Sequence, residues 1–151
     1  MRLLPLWRPK TRCRTAFVLH PSVIHGWFDF KVASRYTSEV LHSLISTTAI
    51  VPTVWSLEVA EWLRDLEVRG LESPSRSETF LRGLYPLRIC VDRLTYSRAW
   101  GSILIHARTH SLQIRDAAYL ELALRLDLPL ATTDLTLTRS AASAGVPIYT
   151  P

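Results

Sequence analysis

The sequence has few cysteines and no long apolar run, and each of these absences narrows the class of protein. Cys13 and Cys90 are the only two cysteines in 151 residues, too few for the disulfide framework of a small secreted domain. No segment approaches the ~18 consecutive apolar residues of a membrane-spanning helix. Residues 1–10 also lack the apolar length and the small-residue cleavage site of a signal peptide. We therefore expect a protein of the reducing cytoplasm.

Internal repeats, low-complexity tracts and inter-domain linkers are also missing from the sequence. Apolar residues make up 48% of the chain and charged residues 21%, which is the composition of a globular protein. The length suits one domain with a sizeable core. We expect that domain over residues 16–151, preceded by a basic tail over residues 1–15.

Positive charge is concentrated at one end of the chain. The net charge is +5, from 18 basic and 13 acidic residues. Residues 1–14 contain no acidic residue and five basic ones, namely Arg2, Arg8, Lys10, Arg12 and Arg14. The other 13 basic residues balance the 13 acidic ones, so the high pI gives no evidence of a basic face on the folded domain. The tail fits both an RNA-contacting arm and an ordinary unstructured terminus.

Short apolar runs alternate with longer segments of helical periodicity along the chain. The apolar runs predict strands at 16–19, 49–51, 88–91, 130–133 and 146–149. The periodic segments predict helices at 34–46, 54–69, 73–85, 94–109, 114–126 and 135–144. Strands that are apolar throughout and separated by helices are typical of a parallel sheet with both faces covered. The expected architecture is an α/β sandwich.

Three acidic residues and a histidine fall near the predicted carboxyl ends of strands, where sites form in open parallel sheets. Asp134 follows the strand 130–133, and Glu58 lies near the start of the helix after the strand 49–51. Asp116 begins the helix that leads back to 130–133, so it lies near this edge only if the preceding loop crosses there. His20 ends the first strand. Carboxylate oxygens suit Mg²⁺ and Mn²⁺, which can activate water and neutralise charge on a phosphodiester. We predict a divalent-metal site of Glu58, Asp116 and Asp134, with His20 at the place of a fourth ligand.

Each of these residues also has a plain structural interpretation. Acidic residues are common in the first turn of a helix, which would account for Glu58 and Asp116. Asp134 is placed to cap the helix 135–144. A histidine at a strand end can simply pack or form a hydrogen bond, so spacing alone leaves both interpretations open.

The local sequence around these residues resembles the PIN-domain family, and within it the VapC-type toxins of prokaryotic toxin–antitoxin pairs. The resemblance covers residues 16–150 and is carried by FVLHPSV (17–23), VPTVWSLEVA (51–60), DAAYLELA (116–123) and LPLATTD (128–134). It implies a PIN-like three-layer α/β/α sandwich around a parallel sheet of about five strands, ordered 3-2-1-4-5. It also implies a Mg²⁺- or Mn²⁺-dependent endoribonuclease that acts on tRNA or another structured RNA. A VapB-type antitoxin and a second copy of the chain in a homodimer are the implied protein partners.

One residue departs from the family's pattern. The family has an aspartate at the end of the first strand, in an Asp-x-Ser pattern, and this chain has His20-Pro21-Ser22. Neutral imidazole is a poor ligand for Mg²⁺, so we expect weakened metal binding and low or absent nuclease activity. An attenuating mutation, natural decay and a functional variant all fit this change.

Two further expectations follow from the resemblance. Ser22 and Thr132 are expected to support the site by hydrogen-bonding its carboxylates. The alternative function is a catalytically inactive homologue that acts as an antitoxin-binding module.

Overall fold

The computed structural model describes residues 16–151, so the predicted basic tail lies outside the described residues. Within them lies a sheet of four parallel strands: β1 (Ala16–Leu19), β2 (Thr48–Pro52), β3 (Ile89–Asp92) and β4 (Leu130–Ala131). The strand order is β3-β2-β1-β4. The mixed α/β architecture with a parallel sheet is confirmed, and the predicted count of five strands is wrong.

The predicted fifth strand, residues 146–149, is reduced to one parallel bridge between Ile148 and Leu130. The backbone N–H of Leu130 donates to the carbonyl of Pro147, and the N–H of Tyr149 donates to the carbonyl of Leu130, both at 2.9 Å. Pro147 has no N–H, and β4 extends for only two residues. A longer ladder therefore cannot form between the two segments.

Helices connect the strands. They are α1 (Pro21–Phe28), α2 (Arg35–Ser43), α3 (Trp55–Val68), α4 (Pro74–Leu84), α5 (Thr95–Arg98), a π-helical turn (Ala99–Ile103), α6 (Leu104–His110), α7 (Ile114–Leu126) and α8 (Leu135–Ser143). The predicted helix at 114–126 is confirmed as α7. The segment predicted as one helix at 94–109 is interrupted at Gly101, whose φ of −111° and ψ of −108° are not helical. Helix α1 was not predicted, although Pro21 at its first turn is a common helix start.

The core lies around β1 and α7. All four residues of β1 are buried, and a continuous run in α7, residues 117–123, is buried as well. This arrangement fixes α7 against the centre of the sheet, which places its first turn near the carboxyl end of β1. Within residues 16–151, no helix has the length and apolarity needed to cross a membrane.

Candidate functional site

The predicted site residues line one cleft of about 650 Å³ at the carboxyl edge of the sheet. His20 directly follows β1, and Glu58 lies in the first turn of α3, after β2. Asp134 comes shortly after β4, and Asp116 lies in the first turn of α7. Because β2, β1 and β4 are neighbours in the sheet, their carboxyl ends bring these side chains to a common opening.

His20 is held by hydrogen bonds on both ring nitrogens. It is the N-cap of α1, where Nδ1 accepts the backbone N–H of Ser22 at 3.3 Å. The neutral ring therefore carries its proton on Nε2, which lies 3.3 Å from Asp116 Oδ1 and donates to it. With 8% of its surface exposed, His20 is buried against the edge of the Tyr119 ring. In this arrangement Nε2 is a donor to Asp116 and has no free lone pair for a metal ion.

Ser22 connects the segment that follows β1 with the segment that follows β4. Its hydroxyl accepts the backbone N–H of Thr133 at 2.9 Å and lies 3.2 Å from Thr132 Oγ1 and 2.9 Å from His20 Nδ1. Thr132 Oγ1 in turn accepts the backbone N–H of Asp134 at 3.0 Å. Ser22 and Thr132 thus fix His20 and the backbone that leads to Asp134, whereas the sequence had predicted contacts to the carboxylates themselves.

Ser22, His20 and Asp116 include the residue types of a nucleophilic triad. The Ser22 O–H faces the unprotonated Nδ1 of His20 at 2.9 Å, but the same oxygen accepts the Thr133 N–H and lies 3.2 Å from Thr132 Oγ1, so these contacts hold it in place. Nucleophiles of this kind need a hydroxyl that is free to approach substrate. The geometry fits a structural role for Ser22.

Glu58 is paired with Tyr119, a residue that the sequence reasoning did not single out. The Tyr119 hydroxyl donates a hydrogen bond to Glu58 Oε2, and Arg115 Nε lies 4.0 Å from Glu58 Oε1. Burial raises the pKa of Glu58 above its ordinary value, and this effect outweighs the hydrogen bond from Tyr119 and the nearby positive charges, which lower it. Burial and the Glu58 carboxylate likewise raise the pKa of Tyr119, which keeps the phenol protonated. Tyr119 follows Asp116 by three residues and therefore shares its helix face, but this spacing did not identify Glu58 as its partner.

Asp134 caps helix α8. Its Oδ1 accepts the backbone N–H of Leu137 at 2.7 Å, as the plain structural interpretation anticipated. An N-cap uses one carboxylate oxygen and leaves Oδ2 to face the cleft's other groups. Capping is therefore compatible with a second role for Asp134.

The cleft carries more acidic than basic side chains. Glu61 and Asp65, on the exposed side of α3, add to the three predicted carboxylates, and Arg115 pairs with Glu61 at the rim. Like charges gathered in one opening repel each other and favour the binding of a cation. Glu61 and Asp65 recur at helical spacing after Glu58, so the periodicity of α3 could have placed them on this wall.

His25 forms a second histidine on the wall of the cleft. Its ring stacks on Trp62 with centroids 4.2 Å apart. Burial, together with the nearby His20, lowers the pKa of His25 to about 4. The imidazole is therefore neutral at physiological pH and adds no positive charge to the acidic cleft.

The carboxylate oxygens of the cleft are the type of ligand that a hard divalent cation prefers, but they do not form a compact group. Among residues 16–151, no group of three or more His, Cys, Asp or Glu side chains stands close enough together to hold a metal ion. Mg²⁺ usually keeps several waters and needs only one or two carboxylates from the protein. Asp116 and Asp134 each have one carboxylate oxygen beyond those bonded to His20 and to Leu137. These two oxygens are the carboxylate atoms that such an ion would use.

A comparison with models of known protein families matched none of them to this chain, and a comparison with curated proteins found no similar sequence.

Proposed function

We propose that this chain is a VapC-type toxin of the PIN-domain family, a divalent-metal-dependent endoribonuclease whose activity is weakened or lost through His20. The observation that carries the proposal is the convergence of His20, Glu58, Asp116 and Asp134 on one acidic cleft at the carboxyl ends of parallel strands. The resemblance of the four sequence segments supports it independently. The RNA substrate, the VapB-type antitoxin and the homodimer belong to the same proposal.

Asp116 and Asp134 would hold Mg²⁺ or Mn²⁺, with Glu58 oriented by Tyr119 beside them. Such an ion activates water and neutralises charge on a phosphodiester. His20 opposes this function in two ways. It replaces a carboxylate by a neutral ring, and its Nε2–H occupies the Asp116 oxygen that would otherwise face the ion.

The test compares the parent chain with His20→Asp. In the variant, a second carboxylate would lie beside Asp116 with no hydrogen-bond donor between them, so the apo protein should be less stable and should gain more from a bound cation. We expect Mn²⁺ to raise the melting temperature of His20→Asp clearly more than that of the parent. We also expect cleavage of total tRNA with Mg²⁺ or Mn²⁺ to rise at least about tenfold, since even a residue that only supports a metal ligand is typically worth about 10- to 100-fold.

A matched control is Asp116→Asn, made in the parent chain and in His20→Asp. This substitution keeps the shape of the side chain and removes its charge. Cleavage that survives this substitution comes from a contaminating nuclease. Equal cleavage by the parent and His20→Asp would show that our account of the site is wrong.

The second candidate function is a catalytically inactive homologue that binds the antitoxin. The hydrogen bond between His20 and Asp116 favours it, because it gives the half-buried acid a partner without a metal ion. This function predicts that the chain forms a stable complex with a small DNA-binding protein encoded beside its gene while cleaving no RNA. Purification of the co-expressed pair, followed by the same cleavage assay, separates the two candidates.

A further inference from the structure

Two large aromatic side chains lie almost entirely in solvent shortly after β3. Tyr96, in α5, is 83% exposed, and Trp100, in the π-helical turn, is 90% exposed. Aromatic rings of this size usually bury most of their surface in a core or an interface. Positions four apart in a helix are neighbours, so both rings lie on the same side of this helical stretch. The packing of the domain therefore uses little of either ring.

The charged side chains beside these rings are arginines. Arg93 and Arg98 are both exposed. The nearby acids are largely buried, since Asp92 and Glu121 both accept from Arg125 and their side chains are 12% and 5% exposed. Arg98 Nε lies 3.9 Å from Glu121 Oε1, yet 45% of the Arg98 side chain stays in solvent. An arginine–aromatic patch is thus formed by Arg93, Tyr96, Arg98 and Trp100.

The loop between β2 and α3 connects this patch to the acidic cleft. Thr95 Oγ1 accepts the backbone N–H of Thr53 at 3.1 Å, which holds the start of α5 against that loop. The next residue of the loop, Val54, lines a hollow of about 410 Å³ together with Leu57, Glu58, Glu61 and Arg115. The last three of these residues also line the acidic cleft. The hollow therefore extends from the cleft to the loop that holds α5.

The acidic cleft by itself offers little affinity for an RNA strand. Its carboxylates repel the phosphates on either side of a scissile bond, and Arg115 is already paired with Glu61. Proteins hold single-stranded RNA by stacking bases on exposed aromatic rings and by placing basic side chains against the phosphates. The arginine–aromatic patch supplies both kinds of group. Bases inside a duplex are already stacked on each other, so only unpaired bases can use its rings.

We propose that the arginine–aromatic patch binds unpaired nucleotides of an RNA, with bases stacked on Tyr96 and Trp100 and phosphates paired with Arg93 and Arg98. The inference rests on the RNA-directed function proposed above and adds the surface that holds the strand beside the cleft. Exposed aromatic rings and arginines also serve protein partners. The charge complementarity with phosphate and the hollow that leads to the acidic cleft favour RNA.

The central experiment measures binding of a fluorescein-labelled oligoadenylate by fluorescence anisotropy, with EDTA present so that no metal-dependent cleavage occurs. Tyr96→Ala and Trp100→Ala should each weaken binding at least about fivefold, because one base loses its stacking partner. Trp100→Phe keeps an aromatic ring and should retain most of the affinity. The matched control is Tyr85→Ala, since Tyr85 is 85% exposed but precedes β3 at the opposite end of the strand. This control should bind like the parent chain.

Annealing the same oligoadenylate to oligouridylate separates stacking from charge. Base pairing hides the faces of the bases, so Tyr96→Ala and Trp100→Ala should leave binding of the duplex nearly unchanged. Arg93→Gln should reduce the slope of log affinity against log salt for the single strand by about 0.7, the value for one phosphate contact. Every variant keeps residues 1–15, so the basic tail contributes equally to all of them.

Circular dichroism confirms that the variants fold, as expected for exposed positions. The inference is overturned if Tyr96→Ala and Trp100→Ala bind the single strand as tightly as Tyr85→Ala, which is the result expected of a surface for a protein partner. An equal loss of affinity for the single strand and the duplex would overturn it as well.

The cleavage assay of His20→Asp decides the nuclease proposal separately. A chain that binds oligoadenylate through Trp100 but gains no cleavage from His20→Asp would support the patch and contradict the nuclease. Cleavage by His20→Asp without any effect of Trp100→Ala on binding would contradict the patch alone.

Discussion

At the scale of single residues, the wall of the acidic cleft includes a histidine, His25, that is neutral in the folded protein. His25 stacks on Trp62, and its lowered pKa, about 4, means that the folded protein resists its protonation. Unfolding exposes the ring and restores its ordinary pKa near 6.5. Between these two values the unfolded chain binds more protons than the folded one, so the folded protein loses stability as the pH falls through this window.

We therefore expect the free energy of unfolding to fall by about 1 to 2 kcal/mol between pH 6.5 and pH 4 through His25 alone, after allowance for solvent at the partly exposed ring. His25→Phe keeps an aromatic ring against Trp62 and removes the titration. Urea unfolding of both proteins across this range measures the effect. If the two pH profiles run parallel, His25 does not contribute to the acid sensitivity.

The sequence located three of the acidic residues of the cleft but not Glu61, Asp65 or the bonds that define their chemistry. Hydrophobic patterning predicted the strands that precede Glu58 and Asp134, and the PIN resemblance alone implied the strand order that brings them together. The donation from His20 to Asp116 depends on the tautomer of His20, which is set by the N-cap geometry of a helix that was not predicted. The Tyr119–Glu58 bond depends on how α3 and α7 pack, and no local pattern encodes that packing.

At the scale of elements, Asp134 has two separable roles. As the N-cap of α8 it accepts the N–H of Leu137, and in the proposed function it also binds a metal ion. Asp134→Asn keeps an acceptor oxygen at the cap and removes the charge, whereas Asp134→Ala removes both. We expect Asp134→Ala to lose about 1 kcal/mol of stability and Asp134→Asn to lose much less, as measured by thermal unfolding.

The same pair of substitutions in the His20→Asp background completes this test. Both should abolish cleavage there, because both remove the carboxylate. If Asp134→Asn were as unstable as Asp134→Ala, the negative charge of Asp134 would contribute more to stability than its capping hydrogen bond.

Element boundaries were predicted best where local signals are strong. The apolar periodicity of α7 gave both of its ends, and Ser73 and Pro74 marked the start of α4. The π-helical turn after α5 was not predicted, and it lies against α7. Ser102 of that turn donates to the buried carboxylate of Glu121 on α7.

At the scale of the whole molecule, a buried ionic network joins the exposed edge of the sheet to its core. Arg125 on α7 donates to Asp92, at the end of β3, at 2.8 Å and to Glu121 at 3.0 Å. Glu121 is only 4% exposed. A buried carboxylate that loses its partner is costly, because it cannot recover its hydration.

Arg125→Met should therefore lower the free energy of unfolding by about 3 kcal/mol or more. A second substitution, Glu121→Gln, removes the carboxylate that is then left with Ser102 and the more distant Arg98, and should recover part of the loss. Denaturant unfolding of the single and double variants measures both changes. A loss below about 1 kcal/mol, as for a surface ion pair, would show that solvent reaches this network.

The position of β1 has a consequence for how the chain folds. This strand comes first in the described part of the chain but lies in the middle of the sheet, between β2 and β4. Its partner Leu130 is more than a hundred residues away in sequence, so one side of β1 has no partner until most of the chain is available. Contacts of such long sequence separation slow folding. During synthesis on the ribosome, Phe17 and Leu19 would therefore remain accessible to chaperones until β4 emerges.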